Sequence, residues 1–312
     1  MYKHKDKESP EFSVLMASYN NGQFIGRAIE SVINQTFKEW ELVIVDDSST
    51  DKSVEIIKTY LSDRRVRFFK NSRNIGYIGT LRRLINESRA EILGIFDSDD
   101  ALKENALEKM YEAHVKNRDC GFIYSNFVFC DEDLKPVKKG FCTALPQIPG
   151  RKTILRYDIV GPFRTFKKEA YLRTQGYDDS ILYAEDKDLT LKMEEVTGFY
   201  YVDEVLYFYR VLLDSQSHDP AKKSTMKSSY YLAKYNAYRR RLGTEIPNLT
   251  NKEMSDVLFY GIPHCIKARN WRRARFFLRE AMRLFPLNVK GWLTLLFRGT
   301  RFLPRIFFRK IP

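Results

Sequence analysis

Apolar residues in this chain come in short runs separated by stretches with helical spacing. Phe12 to Ala17 and Glu41 to Val45 have the length and content of buried strands, and between them Phe24, Ile25, Ala28, Ile29, Val32 and Ile33 recur on one helical face. The alternation continues with a helix around Val54 to Leu61, a strand Arg65 to Phe69, a helix carrying Ile78, Leu81, Leu84 and Ile85, and a strand Glu91 to Phe96. Such alternation predicts an α/β fold, a mainly parallel sheet flanked by helices. After a helix near Asn105 to Val115, the aromatic and β-branched segment Gly121 to Phe129 and the acidic turn Asp131 to Lys135 predict that the sheet becomes mixed. A helix from Glu185 to Val196 and an aromatic strand from Phe199 to Arg210 close this domain. From about Thr225 onward the pattern is helical, with Pro263, Pro286 and Pro304 as expected breaks.

Composition changes this picture mainly through charge. The chain of 312 residues carries a net charge of +13, and the excess lies almost wholly in the tail. From Gly261 to Pro312 there are 13 Lys and Arg against the single acid Glu280, while the first 260 residues hold 40 bases and 39 acids. The tail alternates cationic and apolar clusters, at Trp271 to Arg279, Trp292 to Phe297 and Arg301 to Lys310. Its uncharged runs are too short to cross a bilayer, so it predicts a helix lying on an anionic membrane surface. Packing of its aromatics on the catalytic domain, with the arginines in water, is the competing expectation. Aromatics interleaved with bases also occur in nucleic-acid binders, but no nucleic-acid module is recognisable and no such partner is expected. The first ten residues, MYKHKDKESP, lack the apolar core of a secretory signal, and Cys120, Cys130, Cys142 and Cys265 show no metal or disulfide spacing. A cytoplasmic location, peripheral on the cytosolic face of a membrane, is expected.

The candidate chemistry sits where strands end. Phe96-Asp97-Ser98-Asp99-Asp100 places three carboxylates in four positions directly after an apolar strand. Like charges this close repel, and a cation relieves them; hard oxygen ligands suit Mg2+ or Mn2+, with a diphosphate completing the shell. Capping of the following helix is the alternative use of such acids. A second pair, Asp46-Asp47, ends the strand Glu41 to Val45 and precedes Ser48-Ser49-Thr50-Asp51, residues suited to capping. Carboxylates at such a tip can accept hydrogen bonds from a base or a ribose. Ser18-Tyr19-Asn20-Asn21-Gly22, after the first strand, offers an aromatic ring on which a base can stack.

These segments occur together and in order: FSVLMASYNNGQFIGRAIESVINQTFKEWELVIVDDSSTDKSVEII, then NIGYIGTLRR, then AEILGIFDSDD. Over roughly residues 11 to 215 the chain resembles the family 2 inverting glycosyltransferases of the GT-A fold, with a Rossmann-like nucleotide-binding half. The resemblance implies transfer of a sugar from a nucleotide-diphosphate sugar, UDP-linked by preference, to a hydroxyl of a glycan or lipid-linked acceptor in surface polysaccharide or glycolipid synthesis. It implies donor binding at Ala17, Tyr19, Asp46, Asp47, Arg82 and Asp97. Metal binding would fall to Asp97 and Asp99 of the DxD element, with Asp100 as an additional ligand. Asp186 is implied as the general base that removes the acceptor proton, with Glu185 orienting the acceptor. The expected division is a polar extension 1–10, a GT-A domain 11–218 and a helical basic region 219–312 at a membrane.

Two departures from the family pattern stand out. Tyr209-Arg210-Val211 is followed by Leu212 where relatives often carry a histidine; His218, or Arg210, Lys222 and Lys223 toward the diphosphate, are the candidate replacements. Arg82 stands where relatives commonly show Asn, either meeting the donor phosphates or lying on a solvated face. The missing histidine also leaves room for a nucleotide-binding or membrane-adaptor protein with a degenerate transferase site.

Overall fold

The computed structural model describes residues 9–145, 153–212 and 220–293. By packing, the chain forms two compact units: the described residues of Met1–Leu145, Ile159–Tyr177 and Val196–Leu212, and those of Pro146–Asp158, Asp178–Glu195 and Leu213–Pro312. The first unit begins with β1 (Phe12–Ser18), α1 (Ile25–Ile33), β2 (Trp40–Asp46), α2 (Ser53–Thr59), β3 (Val66–Lys70), α3 (Tyr77–Glu87) and β4 (Ile92–Asp97). It continues with β5 (Ala101–Leu102), α4 (Ala106–Lys116), β6 (Cys120–Cys130), β7 (Pro136–Lys139), β8 (Arg164–Lys167) and α5 (Lys168–Leu172), and returns later with β9 (Gly198–Arg210).

These strands form one sheet in the order β3-β2-β1-β4-β8-β6-β9-β5, with β7 paired to β6. β1 to β4 run parallel, and every residue of β2 is buried. Burial on both faces is why these strands read as continuous apolar runs rather than alternating ones. α1 buries Ile25, Ala28, Ile29 and Val32, and α3 buries Ile78, Leu81, Leu84 and Ile85, the residues whose spacing predicts those helices. Past β4 the sheet becomes mixed as expected, because β8 runs antiparallel to both β4 and β6. The sequence Arg-Thr-Phe-Lys of β8 does not announce a strand. Pairing on both edges and the buried rings of Phe163 and Phe166 impose it. Gly94 lets the sheet close over that core, since a Cβ there would lie 2.9 Å from ring atoms of both Phe12 and Phe163.

The topology sets the position of a ligand site. The chain leaves β1 toward β2 on one side, and β4 lies on its other side, so the order reverses between β1 and β4. Open α/β sheets bind ligands beyond the carboxyl ends of strands at such a switch point. In register, Ala17 pairs with Asp97 and Ser18 with Asp46, which aligns the ends of β1, β2 and β4.

The second unit is helical: α6 (Glu185–Glu194), α7 (Pro220–Arg240), α8 (Asn251–Lys267) and α9 (Trp271–Leu284). α8 starts at a capping box, in which the Thr250 hydroxyl accepts from Glu253 N while Glu253 accepts from Thr250 N. Pro263, expected to break a helix, lies inside α8, where Ile262, Pro263, Cys265 and Ile266 are all buried. Packing on that face offsets the lost hydrogen bond. Gly261 allows the close approach, because a Cβ there would meet Phe277 of α9 at 2.7 Å and Tyr231 of α7 at 3.0 Å. Pro286 does follow a helix end, at Phe285. α9 is the first cluster of the basic tail, and Ala274, Phe277, Leu278 and Ala281 are buried within the unit. Its apolar face is therefore covered by the other helices of its own unit. Residues 294–312, which carry most of the remaining tail, lie outside the described residues, as does His218. Among the described residues no helix is long and apolar enough to cross a membrane.

α6 is tied to α7 by buried ion pairs. Arg241, with no exposed surface, pairs with Glu194 Oε2 at 2.9 Å and Glu195 Oε1 at 3.1 Å, and Arg240 pairs with Glu195 Oε2 at 2.7 Å. Arg241 also donates to the carbonyl of Leu191 at 2.9 Å. Removing one partner from such a network leaves a buried charge uncompensated, so it holds the end of α6 in place.

Candidate active site

The loop after β1 is built by its polar side chains. Asn20 has φ 51, and its Oδ1 accepts from Thr50 N at 2.9 Å; Asn21 donates from Nδ2 to Ser98 Oγ at 2.6 Å. The loop after β1 is thus bonded both to the loop after β2 and to the acidic loop after β4. Tyr19 stands exposed at the edge of this arrangement.

At the end of β2 the two aspartates are largely consumed by the fold. Asp46 is fully buried; Oδ1 accepts from Ser49 N at 2.9 Å, and Oδ2 accepts from the hydroxyls of Ser49 and, at 3.5 Å, Ser18. The expected contact of Asp46 with a donor nucleotide gives way to shaping the turn at Ser48, which has φ 68. Asp47 Oδ1 accepts from Asn71 Nδ2 at 2.7 Å and Ile75 N at 2.9 Å, and Oδ2 from Gly76 N at 2.9 Å. Asp47 therefore clamps the loop leading into α3, and Oδ2 keeps a second acceptor position. That loop turns at Gly76, whose φ of 81 suits glycine and no bulky residue.

The acidic segment after β4 divides among its members. Asp97 Oδ1 accepts from the Tyr77 hydroxyl at 3.0 Å, and Asp97 N donates to Tyr207 Oη at 3.4 Å. The Tyr207 hydroxyl in turn donates to Asp100 Oδ2 at 2.6 Å, while Asp100 Oδ1 accepts from Arg210 N at 2.7 Å. Asp100 is almost completely buried with both oxygens engaged, so it braces the loop against β9 rather than facing a metal as expected. Arg210 completes that brace. Its Nε donates to the carbonyl of Asp99 at 2.5 Å, its Nη1 to that of Glu132, and its guanidinium lies 4.7 Å from the ring centre of Phe24. Arg210 is buried and its Nε and Nη1 are taken up by this brace, while Nη2 is buried without a hydrogen-bond partner. Asp99 remains. Burial first, and then the charge of Asp97, push its carboxyl up to about 6, despite opposition from Arg210. Burial, Asp99 and Asp97 likewise raise Asp100 well above the usual carboxylate range.

This pattern bears on whether a divalent cation fits. Among the described residues, no three His, Cys, Asp or Glu side chains gather as a protein-only cage. Mg2+ and Mn2+ with nucleotide substrates need no such cage, since one or two carboxylates and the phosphates suffice. Asp97 and Asp99 supply hard oxygens, and burial together with the charge of Asp97 makes the ionised form of Asp99 costly, a cost that a cation offsets. The pair fits such an ion; Asp100 does not.

Arg82 lies on α3 and is half-buried. Its Nη2 donates to the carbonyl of Tyr177 at 2.7 Å. In the second unit Glu185 and Asp186 open α6, and the Asp186 carbonyl accepts from Thr190 Oγ1 at 2.6 Å. The charges of Asp158 and Asp186 add to burial in raising the phenol of Tyr230 on α7. Asp188 is buried and paired with Lys192 at 2.6 Å, a structural use. Lys222 and Lys223 lie in the first turn of α7. Tyr77, Asn21, Ser98 and Tyr207 were not apparent as site residues from sequence, because each acts through a partner at least 20 residues away.

The model of the family described as "Glycosyl transferase family 2" matches residues 13–174. The chain belongs to glycosyl transferase family 2. It is similar to an uncharacterized glycosyltransferase of Methanocaldococcus jannaschii, 29% identical over 73% of this chain and 80% of that one. It is also similar to the chondroitin synthase of Escherichia coli, 30% identical over 64% of this chain but only 29% of the synthase. Among solved structures, S. aureus TarS residues 1–349 in complex with UDP superposes with a TM-score of 0.60 at 15% identity, covering 97% of this chain and 94% of that one. The fold of this glycosyltransferase is therefore of the GT-A type.

Proposed function

We propose that this glycosyltransferase moves a sugar from a UDP-sugar to a hydroxyl of a growing glycan or glycolipid, with inversion and with the help of a divalent cation. The register that aligns Ala17 with Asp97 at the switch point, beside the acidic loop that carries Asp99, is the observation that carries the reading. Tyr19 stacks on the base, and the remaining acceptor position of Asp47 Oδ2 takes a base N–H. Tyr77 holds the Asp97 carboxylate toward the ribose. Mg2+ or Mn2+ bound by Asp97 and Asp99 together with the diphosphate supplies charge neutralisation of the leaving group. Asp186 is the base that removes the acceptor hydroxyl's proton, which a single displacement requires, and Glu185 orients the acceptor. The similarity to a chondroitin synthase supports a polysaccharide acceptor.

The test is UDP release from a panel of UDP-hexoses with Mn2+, run beside calorimetric titration with UDP. One donor should turn over. Asp186→Asn should lower transfer by roughly a thousandfold or more, as loss of a base does, with UDP affinity unchanged. UDP binding without any turnover would favour the degenerate-site reading, and transfer retained by Asp186→Asn would remove that residue from its role.

A further inference from the structure

Just before α6 the second unit holds a loop whose two ends turn inward while the two residues between them turn outward. Ile181 and Ala184 are buried at 0% and 1% exposure, whereas Leu182 and Tyr183 between them are 51% and 40% exposed. The loop is anchored on both sides. Asp178 accepts from Ile181 N at 3.0 Å through its carbonyl and from Ser180 N at 2.8 Å through Oδ1, and Arg273 donates to the carbonyl of Ser180 at 3.3 Å. On the far side the carbonyl of Ala184 accepts from Asp188 N at 3.0 Å in the first turn of α6. Between these anchors Tyr183 has φ 60, in the left-handed region. A bulky residue held there costs on the order of 1–3 kcal/mol, which Gly or Asn would avoid, and such positions cluster at functional sites.

We infer that Tyr183, with Leu182 beside it, is the platform on which a hexopyranose ring of the acceptor rests. The inference builds on the assignment of Asp186 as base. Asp186 lies three positions on from Tyr183, so their Cα atoms are at most roughly 11 Å apart. A sugar ring against Tyr183 therefore lies near a group that must reach one of its hydroxyls. The chemistry matches: one face of a pyranose presents C–H groups that pack on an aromatic face, while the hydroxyls at its rim keep their hydrogen bonds. A tyrosine fixes only two side-chain torsions on binding, and a loop already anchored loses little further freedom. This tyrosine is presented outward in a conformation that a smaller residue would hold at lower cost.

Saturation-transfer NMR with methyl β-D-glucopyranoside and methyl β-D-galactopyranoside, in the presence of UDP and Mn2+, tests it. Irradiation of aromatic protons should transfer to the C–H protons of one ring face of at least one glycoside. Tyr183→Phe should retain the signal, whereas Tyr183→Ala and Tyr183→Asn should weaken apparent affinity about fivefold to tenfold, the scale of one aromatic contact. Tyr183→Asn should also unfold at a temperature no lower than the wild type, which separates loss of the sugar contact from damage to the fold. Absence of transfer to either glycoside in the wild type, or an undiminished signal in Tyr183→Ala, overturns the inference. UDP titration of the same samples distinguishes the failures: if UDP binds, only the platform falls, and if it does not, the transferase reading falls as well.

Discussion

At the tip of β2, Asp46 and Asp47 accept hydrogen bonds on every carboxylate oxygen from neighbouring main-chain and side-chain donors. At the tip of β4, one strand beyond β1, Asp100 is satisfied in that way, whereas burial and then the charge of Asp97 push the Asp99 carboxyl up to about 6. The two tips have the same residue type and the same position at strand ends. What differs is the supply of donors: Ser49, Asn71 and two backbone N–H groups converge on β2, whereas the carboxylates after β4 crowd one another. Acids surrounded by donors shape the loops, and acids surrounded by acids call for a cation.

The contrast breaks most visibly in activity. Asp99→Asn should reduce UDP release from the donor by roughly a hundredfold or more, the scale of losing a preorganised electrostatic contact, while leaving the denaturation midpoint unchanged or higher. Chelation of divalent ions should abolish turnover in the wild type, and added Mn2+ should restore it; full activity after chelation would place the Asp97 and Asp99 carboxylates outside metal binding.

At β2 the order of effects should reverse. Asp47→Ala strands the donors of Asn71, Ile75 and Gly76, and urea unfolding should show a loss of about 3 kcal/mol, since each orphaned donor carries a desolvation penalty. A change well below 1 kcal/mol would mean that the loop before α3 is not held by Asp47.

The pH dependence sharpens the difference further. The folded state holds Asp99 near 6 against an ordinary value of 3.8, so between those values the folded protein binds more protons than the unfolded one. Metal-free protein should therefore lose stability as pH rises through that window and keep the loss above it. Saturating Mn2+ should flatten or invert the slope, because the cation favours the charged form, and Asp99→Asn should make it shallower without metal, the remainder coming from the raised Asp100. A slope of opposite sign in the metal-free wild type would contradict the assignment of Asp99. The smallest effect is expected at Tyr77→Phe, which removes one hydrogen bond onto Asp97 and should weaken UDP-sugar binding by about three- to tenfold in KM.

Much of the scaffold was legible from residue order alone. The runs of β1, β2 and β4 and the apolar faces of α1 and α3 are local patterns, so periodicity reveals them. β8 was not legible, because its four residues become a strand only between two partners, and Pro263 was misleading because burial on both sides of it sustains α8. Among the site residues, sequence located the acidic clusters and the start of α6 but could not apportion their tasks. Asp46, Asp99 and Asp100 look alike on paper. They are separated by where Ser49, Tyr207 and Arg210 arrive, and the last two come from more than 100 residues along the chain.

By itself, then, the sequence determined the α/β class, the family motifs and the places where carboxylates concentrate, since these follow from short-range periodicity and composition. Only the tertiary structure decided which carboxylates are satisfied and which are crowded, that Arg210 is a brace, and that Tyr183 faces outward in a strained turn. The physical reason is that a side chain's role depends on the donors, charges and solvent around it, and long-range packing alone brings those together.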